Sequence, residues 1–403
     1  MRIAISGASG YIGQHLSSFL EGKGYDVIPL GRDLFKEDCF DELCRCVESC
    51  EVVINLAGAS INKRWTEAYK QELYDSRICV TRQLVHAINT RSVKLELFIS
   101  ASAVGYYPAF GEYDEYHDCR GMDFLARLCG AWEEEASACS SDVRLVITRF
   151  GVVLSEDGGA LKEMLRLQRF SRVSVVIGNG QQRFPWISLF DLCRSFGYII
   201  RNRQMRGVVN LVSPDLITQK QLAHTLARAD KIRRIIPLPE FFFRLKFGEG
   251  ASFVTKGQTV HPSKLQESGF TYIYPTIEKL MNITDHHTVP ELDVKRYMGR
   301  WYEIARYENH FERGMTDVTA TYTLLPDGKI RVENEGYKGG VHKKATGRAK
   351  QPDPKNNPGK LKVAFFLWFY ADYYILELDA DYQYAVIAVS YTHLRAHETE
   401  LHL

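Results

Sequence analysis

Beyond Cys193 the chain has no cysteine. All nine, Cys39, Cys44, Cys46, Cys50, Cys79, Cys119, Cys129, Cys139 and Cys193, lie in the first half. An odd number without framework spacing excludes a disulfide scaffold and fits free thiols in a reducing compartment. Cys44, Cys46 and Cys50 are spaced C-x-C-x3-C, but no clear fourth ligand accompanies them. They read instead as small apolar residues of an amphipathic helix, and no metal is expected. Charge of one sign is also lacking. A formal net charge of +2 creates no field aimed at nucleic acid or a membrane surface. Long hydrophobic runs are absent too, so no membrane span is expected. The opening "MRIAIS" has no h-region and no small-residue cleavage site, so the expected location is the cytoplasm. With 403 residues, 45% hydrophobic and 25% charged, the composition is globular and the length suggests two or three domains.

What is present begins at once. "RIAIS" reads as a buried parallel strand. "GASGYIG" follows and then a helical pattern, "QHLSSFLEGKG", that closes on glycine. Strand, glycine turn and helix in that order are what a dinucleotide phosphate site needs. Gly7 permits the tight turn, Gly10 lets the backbone approach the pyrophosphate, and Gly13 lets the helix pack on the strand. The free N–H groups of the helix start would face the phosphates. Ser9, Tyr11 and Ile12 complete the turn as cofactor-binding candidates.

The second strand, "YDVIPLGR", ends on Gly31 and Arg32, where NAD enzymes usually place an acid for the ribose 2′-hydroxyl. An arginine would instead pair with a 2′-phosphate, which favours NADP. Asp33, one step further on, keeps NAD open. "EVVINLAG" (51–58) ends on Leu56, Ala57 and Gly58, which would let a cofactor lie close. "LELFISASAVGYY" (95–107) and "VRLVITRFGVVL" (143–154) are further strands. Ligands collect at the carboxyl ends of such strands, so Ser102, Tyr106, Tyr107 and Arg149 become pocket candidates, Arg149 for the cofactor.

The segments "GASGYIGQHL", "NLAGASINKRW", "SASAVGYY", "TRFGVVLSEDGGAL", "IGNGQQRFPWISLFDL", "NLVSP" and "GASFVTKGQTVHPSKLQESGF" occur in order over residues 1–283. In these segments the chain resembles the extended short-chain dehydrogenase/reductase superfamily, in its atypical "epimerase family protein" branch. The resemblance implies a Rossmann-type, doubly wound parallel α/β sheet with a small substrate lobe, mainly within 155–283. It also implies a Ser–Tyr–Lys site, in which tyrosine of a Y-x-x-x-K helix is the acid/base and lysine holds the ribose. Ser102 falls on the serine position. The helix here reads "FLARLCGAWEEEA", so Leu125 falls on the tyrosine position and Cys129 on the lysine position. Arg77, in "YDSRICVTRQL", falls where the family often has asparagine and is assigned to the cofactor. A thiol cannot supply the fixed charge of a lysine. Ser102, Tyr106 and Cys129 are therefore the catalytic candidates. Cys129 would act only if Arg77 or the cofactor lowered its pKa; otherwise it is a small buried hydrophobe and Tyr106 packs under the cofactor.

The segment 178–192 resembles the loop leading into the substrate lobe of the extended enzymes. Tyr107, Gln182, Arg183 and Trp186 are assigned to a small carbonyl or sugar-like substrate, while Asp191 caps or anchors the next helix.

A polar linker (284–292) containing His286 and His287 precedes a run of short strands from "GRWYEIARY" to "YAVIAV". They alternate as in "ATYTL" and are separated by turns such as Pro-Asp-Gly. "GRWYEIARYENHFERG" with "VTATYTL" resembles the bacterial lipocalins, whose G-x-W corresponds to Gly299 and Trp301. The resemblance implies an all-β, antiparallel barrel over 293–389 whose cavity takes a fatty acid or similar lipophilic ligand. Aromatics in "FFLWFYADYY" (365–374) could line its mouth. The final "SYTHLRAHETELHL" carries His393, His397 and His402 and lacks the apolar alternation of a last strand. It resembles a peptide produced when adapter sequence is read as coding. The expectation is an incomplete barrel with an extraneous tail at 390–403. Two readings of the whole follow: an NADP-dependent oxidoreductase or epimerase joined to a ligand carrier, or a non-catalytic NADP-binding sensor or scaffold.

Overall fold

In the computed structural model the chain forms two compact units, Met1–Ile283 and Thr284–Leu403. The structure describes residues 1–92, 95–281, 288–304, 314–354, 357–366, 369–390 and 399–402. His286, His287, Trp368, His393 and His397 lie outside the described residues, as do positions 305–313 of the first barrel-strand motif.

The first unit is built on a six-stranded parallel sheet. Its strands are β1 (Arg2–Ser6), β2 (Asp26–Leu30), β3 (Val52–Asn55), β4 (Leu97–Ala103), Arg144–Phe150 and Gly207–Leu211. Their order across the sheet, counted along the chain, is 2-1-3-4-5-6. Pro29 is tolerated in β2 because that strand lies at the edge. β1 is buried on both faces. Ile3 and Ile5 pack with Leu16, Leu20 and Phe196 on one side, and Ala4 packs with Leu43, Leu84 and Phe98 on the other. Each such apolar side chain contributes about 1.5–3 kcal/mol on burial. Helix α1 (Tyr11–Glu21) follows the glycine turn, α2 (Phe40–Glu48) carries Cys44 and Cys46, α3 (Glu67–Thr90) carries Arg77, and α4 (Phe124–Ser137) carries Cys129. The run of α4 contains no β-branched residue, and Asp123 caps it by accepting from the Ala126 N–H at 3.0 Å.

The single strand expected over 143–154 is two. It breaks at Gly151, where a Cβ would lie 2.8 Å from the Pro185 carbonyl oxygen. The second piece, Val152–Ser155, pairs instead with Trp186–Ser188. Asp191, fully buried, accepts from the Ile273 and Tyr274 N–H groups at 2.9 and 2.7 Å. It thus ties the helix Leu189–Arg201 to the end of the lobe.

The second unit is an antiparallel sheet of eight strands in chain order, from Gly299–Tyr302 to Thr399–His402. Asp327 turns the first long hairpin, its carboxylate accepting from the Lys329 N–H at 3.1 Å. Tyr297, Tyr322, Val332, Leu361, Val363, Tyr373 and Ile375 form its core. Thr399–His402 pairs with Ile387–Ser390 over four residues. Among the described residues no pairing joins the first strand to the last, so the curled sheet stays open.

Candidate functional site

The glycine turn places three backbone segments in contact. Gly7 has φ +74°, and a Cβ there would lie 2.9 Å from the Leu56 carbonyl. A Cβ on Gly13 would lie 2.2 Å from the Gly7 oxygen, so only glycine lets α1 sit this close to β1. Gly10 precedes α1 and accepts from the Gln14 N–H at 2.9 Å, closing the first helical turn. Ser9 is exposed on the turn, Ile12 packs inward, and the Tyr11 ring lies over Gly158. Leu56 and Ala57 run beside the turn. Ala57 N–H donates to Asn55 Oδ1, which also accepts from Ser6 Oγ at 2.6 Å. The turn therefore has features a pyrophosphate requires: glycine backbone at the close approach and a helix start.

At the end of β2, Arg32 is exposed and forms no ion pair among the described residues. Asp33 is paired with Lys36, which holds its carboxyl below the usual range. The acid that could have held a ribose is thus engaged by a lysine, while the arginine is free.

The carboxyl end of β4 holds a buried polar network. Ser102 Oγ donates to Glu133 Oε1 at 2.6 Å. Arg149, opposite Ser102 in the neighbouring strand, donates Nε to Glu133 Oε1 at 2.8 Å and Nη2 to Oε2 at 2.7 Å. The guanidinium carbon stands 3.5 Å from the centre of the Tyr106 ring and 4.7 Å from that of Tyr107. Tyr106 OH donates to Asp118 Oδ1 at 3.0 Å. Burial first, and then that bond, raise the Tyr106 pKa, so the phenol keeps its proton.

Cys129 is buried beside Ser102, and burial pushes its thiol up to about 12. The expected route to activity, a thiolate made by Arg77, runs against this direction: the Arg77 charge lowers the pKa by less than burial raises it. Arg77 itself packs against Gly58, its guanidinium donating to the Leu73 and Ala59 carbonyls at 3.1 and 3.0 Å.

The residues assigned to substrate are not brought together at one surface. Tyr107 is 2% exposed, with its ring stacked on Tyr113 and its hydroxyl bonded to Asp114 and Asn210. Trp186 is fully buried, and its indole N–H has no partner among the described residues. Gln182 donates to the Ile177 and Val254 carbonyls at 3.2 Å, and exposed Arg183 donates to that of Leu216. Three groups at the site went unread in the sequence: Glu133, Asp118 and Gln258, which donates to the Val104 carbonyl. Glu133 stands four residues after Cys129, on the same helix face, and that spacing was the available signal.

In the second unit Gly299 has φ +119° and needs to be glycine. Trp301 donates its indole N–H to the Tyr297 carbonyl at 3.0 Å and lies at the wall of a cavity of about 450 Å³. Tyr373 OH bonds to Tyr297 OH at 2.7 Å and Tyr322 OH at 3.0 Å inside it. Phe365 and Tyr373 are the described aromatics of 365–374 that line it. Among the described residues no group of three or more metal-ligating side chains exists.

A nucleotide-binding α/β unit with a polar centre at its strand ends is the class that fold and site define. Residues 3–211 match the model of the NAD dependent epimerase/dehydratase family, 238–282 that of a domain of unknown function, DUF1731, and 292–394 that of the lipocalin-like domain. The chain belongs to the NAD dependent epimerase/dehydratase family. It is 34% identical to the epimerase family protein YfhF of Bacillus subtilis, over 72% of this chain and 100% of that protein. It is 33% identical to the chloroplastic SDR39U1 homolog of Arabidopsis thaliana, over 69% of this chain and 85% of that one. A crystal structure of human epimerase family protein SDR39U1 (isoform 2) with NADPH aligns with a TM-score of 0.65 at 32% identity, covering 70% of this chain and 98% of the human one.

Proposed function

We propose that the first unit is an NADP-dependent oxidoreductase or epimerase acting on a small carbonyl or sugar-like substrate, and that the barrel carries a fatty acid or similar lipophilic ligand. The observation that carries the cofactor reading is the pairing at the end of β2: Asp33 is paired with Lys36, and exposed Arg32 has no ion-pair partner among the described residues. The similar human protein is described with NADPH, which agrees. Gly7, Ser9, Gly10 and Gly13 would take the pyrophosphate, with Tyr11 and Ile12 seating the helix. Leu56, Ala57 and Gly58 would leave room beside the turn, and Arg32 would meet the 2′-phosphate. The cofactor, when bound, supplies or accepts the hydride. Tyr106, held as a neutral phenol, would turn its proton from Asp118 to the substrate oxygen. The substrate hydroxyl so formed would donate to Ser102 Oγ, whose own proton is committed to Glu133. Arg149 then serves the site by orienting Glu133 and Tyr106 rather than by touching the cofactor.

The second reading, a non-catalytic NADP sensor or scaffold, is favoured by one observation. Leu125 and Cys129 replace the tyrosine and lysine, and the thiol stays neutral. Nine unpaired cysteines agree with a cytoplasmic location, and among the described residues no helix is long and apolar enough to cross a membrane. Calorimetric titration with NADPH and NADH, followed by NADPH oxidation across a carbonyl panel, tests both readings. NADPH should bind roughly ten- to a hundredfold tighter than NADH, with the margin lost in Arg32→Ala. Equal affinities in the wild type would sink the cofactor reading, and tight binding without turnover on any carbonyl compound would favour the sensor.

A further inference from the structure

Two helix-to-strand turns of the substrate lobe close on one cavity. The helix Gly159–Ser171 turns at Arg172 into the strand Val173–Ile177. The helix Gln219–Ala229 is followed by Asp230, Lys231, Ile232 and Arg233 and then by the strand Arg234–Leu238. The two strands pair in parallel, with Arg234 opposite Val173, so both turns lie at the amino ends. A cavity of about 300 Å³ there is lined by Ser171, Arg172, Lys231, Ile232, Arg233 and Arg234. The loop carrying Gln182 and Arg183 leaves from the other end of Val173–Ile177, about 16 Å along the strand. The cavity shares no lining residue with the cofactor turn or with the groups assigned to substrate.

Four of the six lining residues are cations and none is an acid. All four are exposed. Among the described residues none of them makes a side-chain hydrogen bond or an ion pair. The carboxylate beside Lys231 in the chain, that of Asp230, is engaged elsewhere: it accepts from Arg169 Nε at 2.9 Å and from Gln168 Nε2 at 2.9 Å. Basic groups suit helix C-termini, which accounts for Arg172 and Lys231. Arg233 and Arg234 stand beyond those ends. Four charges gathered here exceed the +2 of the whole chain, and like charges so close repel. The backbone adds a second observation. Arg172 and Lys231 have φ +57° and +56°, and they are two of the four non-glycine residues in the left-handed region among those described. Glycine or asparagine usually holds such a position after a helix, and here each holds a long cation.

We propose that this cavity is a binding site for linked phosphate groups, free or at the end of a nucleotide, held by Arg172, Lys231, Arg233 and Arg234. Arginine forks take phosphate oxygens in pairs, and the lysine adds a point charge. Adjacent phosphates bring several negative charges into a small volume, as four unmatched cations require. No lining residue is aromatic, so nothing stacks on a base. The site reads the phosphates and is indifferent to what they are attached to.

The full chain is titrated calorimetrically, without magnesium, with tripolyphosphate, ATP and inorganic phosphate. Tripolyphosphate should bind at least about tenfold more tightly than phosphate, with ATP within about threefold of it. Arg233→Gln with Arg234→Gln should weaken tripolyphosphate at least about tenfold. Arg172→Asn with Lys231→Asn should do the same, and asparagine tolerates the left-handed backbone, so thermal melting should match wild type. Added NADPH should not displace tripolyphosphate, and Arg32→Ala should leave its affinity unchanged. Affinity unchanged in both charge-removing pairs overturns the proposal, as does full displacement by NADPH. ATP held at least about tenfold tighter than tripolyphosphate overturns it too, because a base would then be read. Binding of a short DNA strand or of phosphatidylglycerol vesicles, with none of tripolyphosphate, would overturn it and assign the cluster to a polymer or a membrane surface. No binding of any of these anions would also overturn it.

Discussion

Removing the Glu133 carboxylate should be among the most damaging single changes in the first unit. Glu133 accepts from Ser102 Oγ at 2.6 Å, Arg149 Nε at 2.8 Å and Arg149 Nη2 at 2.7 Å. The Arg149 side chain is 4% exposed and that of Glu133 is 10% exposed. Glu133→Ala leaves the guanidinium buried between Tyr106 and Tyr107 without its counter-charge, which costs about 3–5 kcal/mol. The Ser102 hydroxyl loses its acceptor, which adds about 1 kcal/mol. The sum is a large part of the stability of an ordinary domain, about 5–15 kcal/mol. Urea unfolding of the full chain, followed by circular dichroism, should show the transition of the first unit moving to much lower denaturant. The transition of the barrel, which the substitution does not touch, serves as internal reference. Glu133→Leu combined with Arg149→Met should recover most of the loss, because it removes both charges together. A Glu133→Ala protein within about 1 kcal/mol of wild type would refute the reasoning, as would a double variant no better than the single one.

On any carbonyl compound the chain reduces, Tyr106→Phe should lower turnover by roughly 10²–10⁴ while NADPH affinity is kept; unchanged turnover would remove Tyr106 from the chemistry. Cys129 and Cys193 are both pushed up to about 12 by burial. A thiol protonated in the fold and ionised when unfolded stabilises the fold fully below about pH 9, and that contribution is lost as pH rises towards 12. Stability should fall by up to about 1.4 kcal/mol per pH unit per thiol in that window, and Cys129→Ala should flatten the slope between denaturation curves at pH 8 and 10. In the barrel, Tyr373→Phe removes the hydroxyl that bonds both Tyr297 and Tyr322. It should cost about 2–4 kcal/mol, against about 1 for Tyr297→Phe, and equal thermal shifts would deny it the central place.

The order of the elements could be read because short apolar runs, glycine turns and alternating strands are local signals. "GASGYIG" is followed by α1 as its pattern requires, and the barrel strands fall on "VTATYTL", "KIRVENEGY" and the runs after them. The break in 143–154 could not be read. Val152 and Val153 are as β-prone as Val146 and Ile147, and only the approach of Pro185 to Gly151 decides where one strand ends. Likewise only its spacing of four from Cys129 sets Glu133 apart from Glu134 and Glu135 in the sequence. The helix phase turns the first towards Arg149, while Arg120 binds the second and Arg82 the third at the surface.

The site shows why a missing motif is weak ground for a missing function. Y-x-x-x-K is a pattern on one helix, but the ligand meets charges in space. Read along α4, the lysine is gone and a thiol stands in its place. Read across the fold, a guanidinium from α3 reaches the same neighbourhood, and among the described residues no carboxylate pairs with it. The lost tyrosine is a different case. Leu125 has no proton to give, and the phenol nearest the centre, Tyr106, belongs to the turn after β4 and is tied to Asp118. A charge can be supplied from another helix without changing what it does, because Coulomb attraction needs only distance and low dielectric. A proton donor must also be aimed at the reacting atom. Cofactor binding should therefore survive the departures in this sequence more readily than catalysis. An NADPH complex of the wild type with no turnover on any carbonyl compound would place this chain on the binding side of that divide.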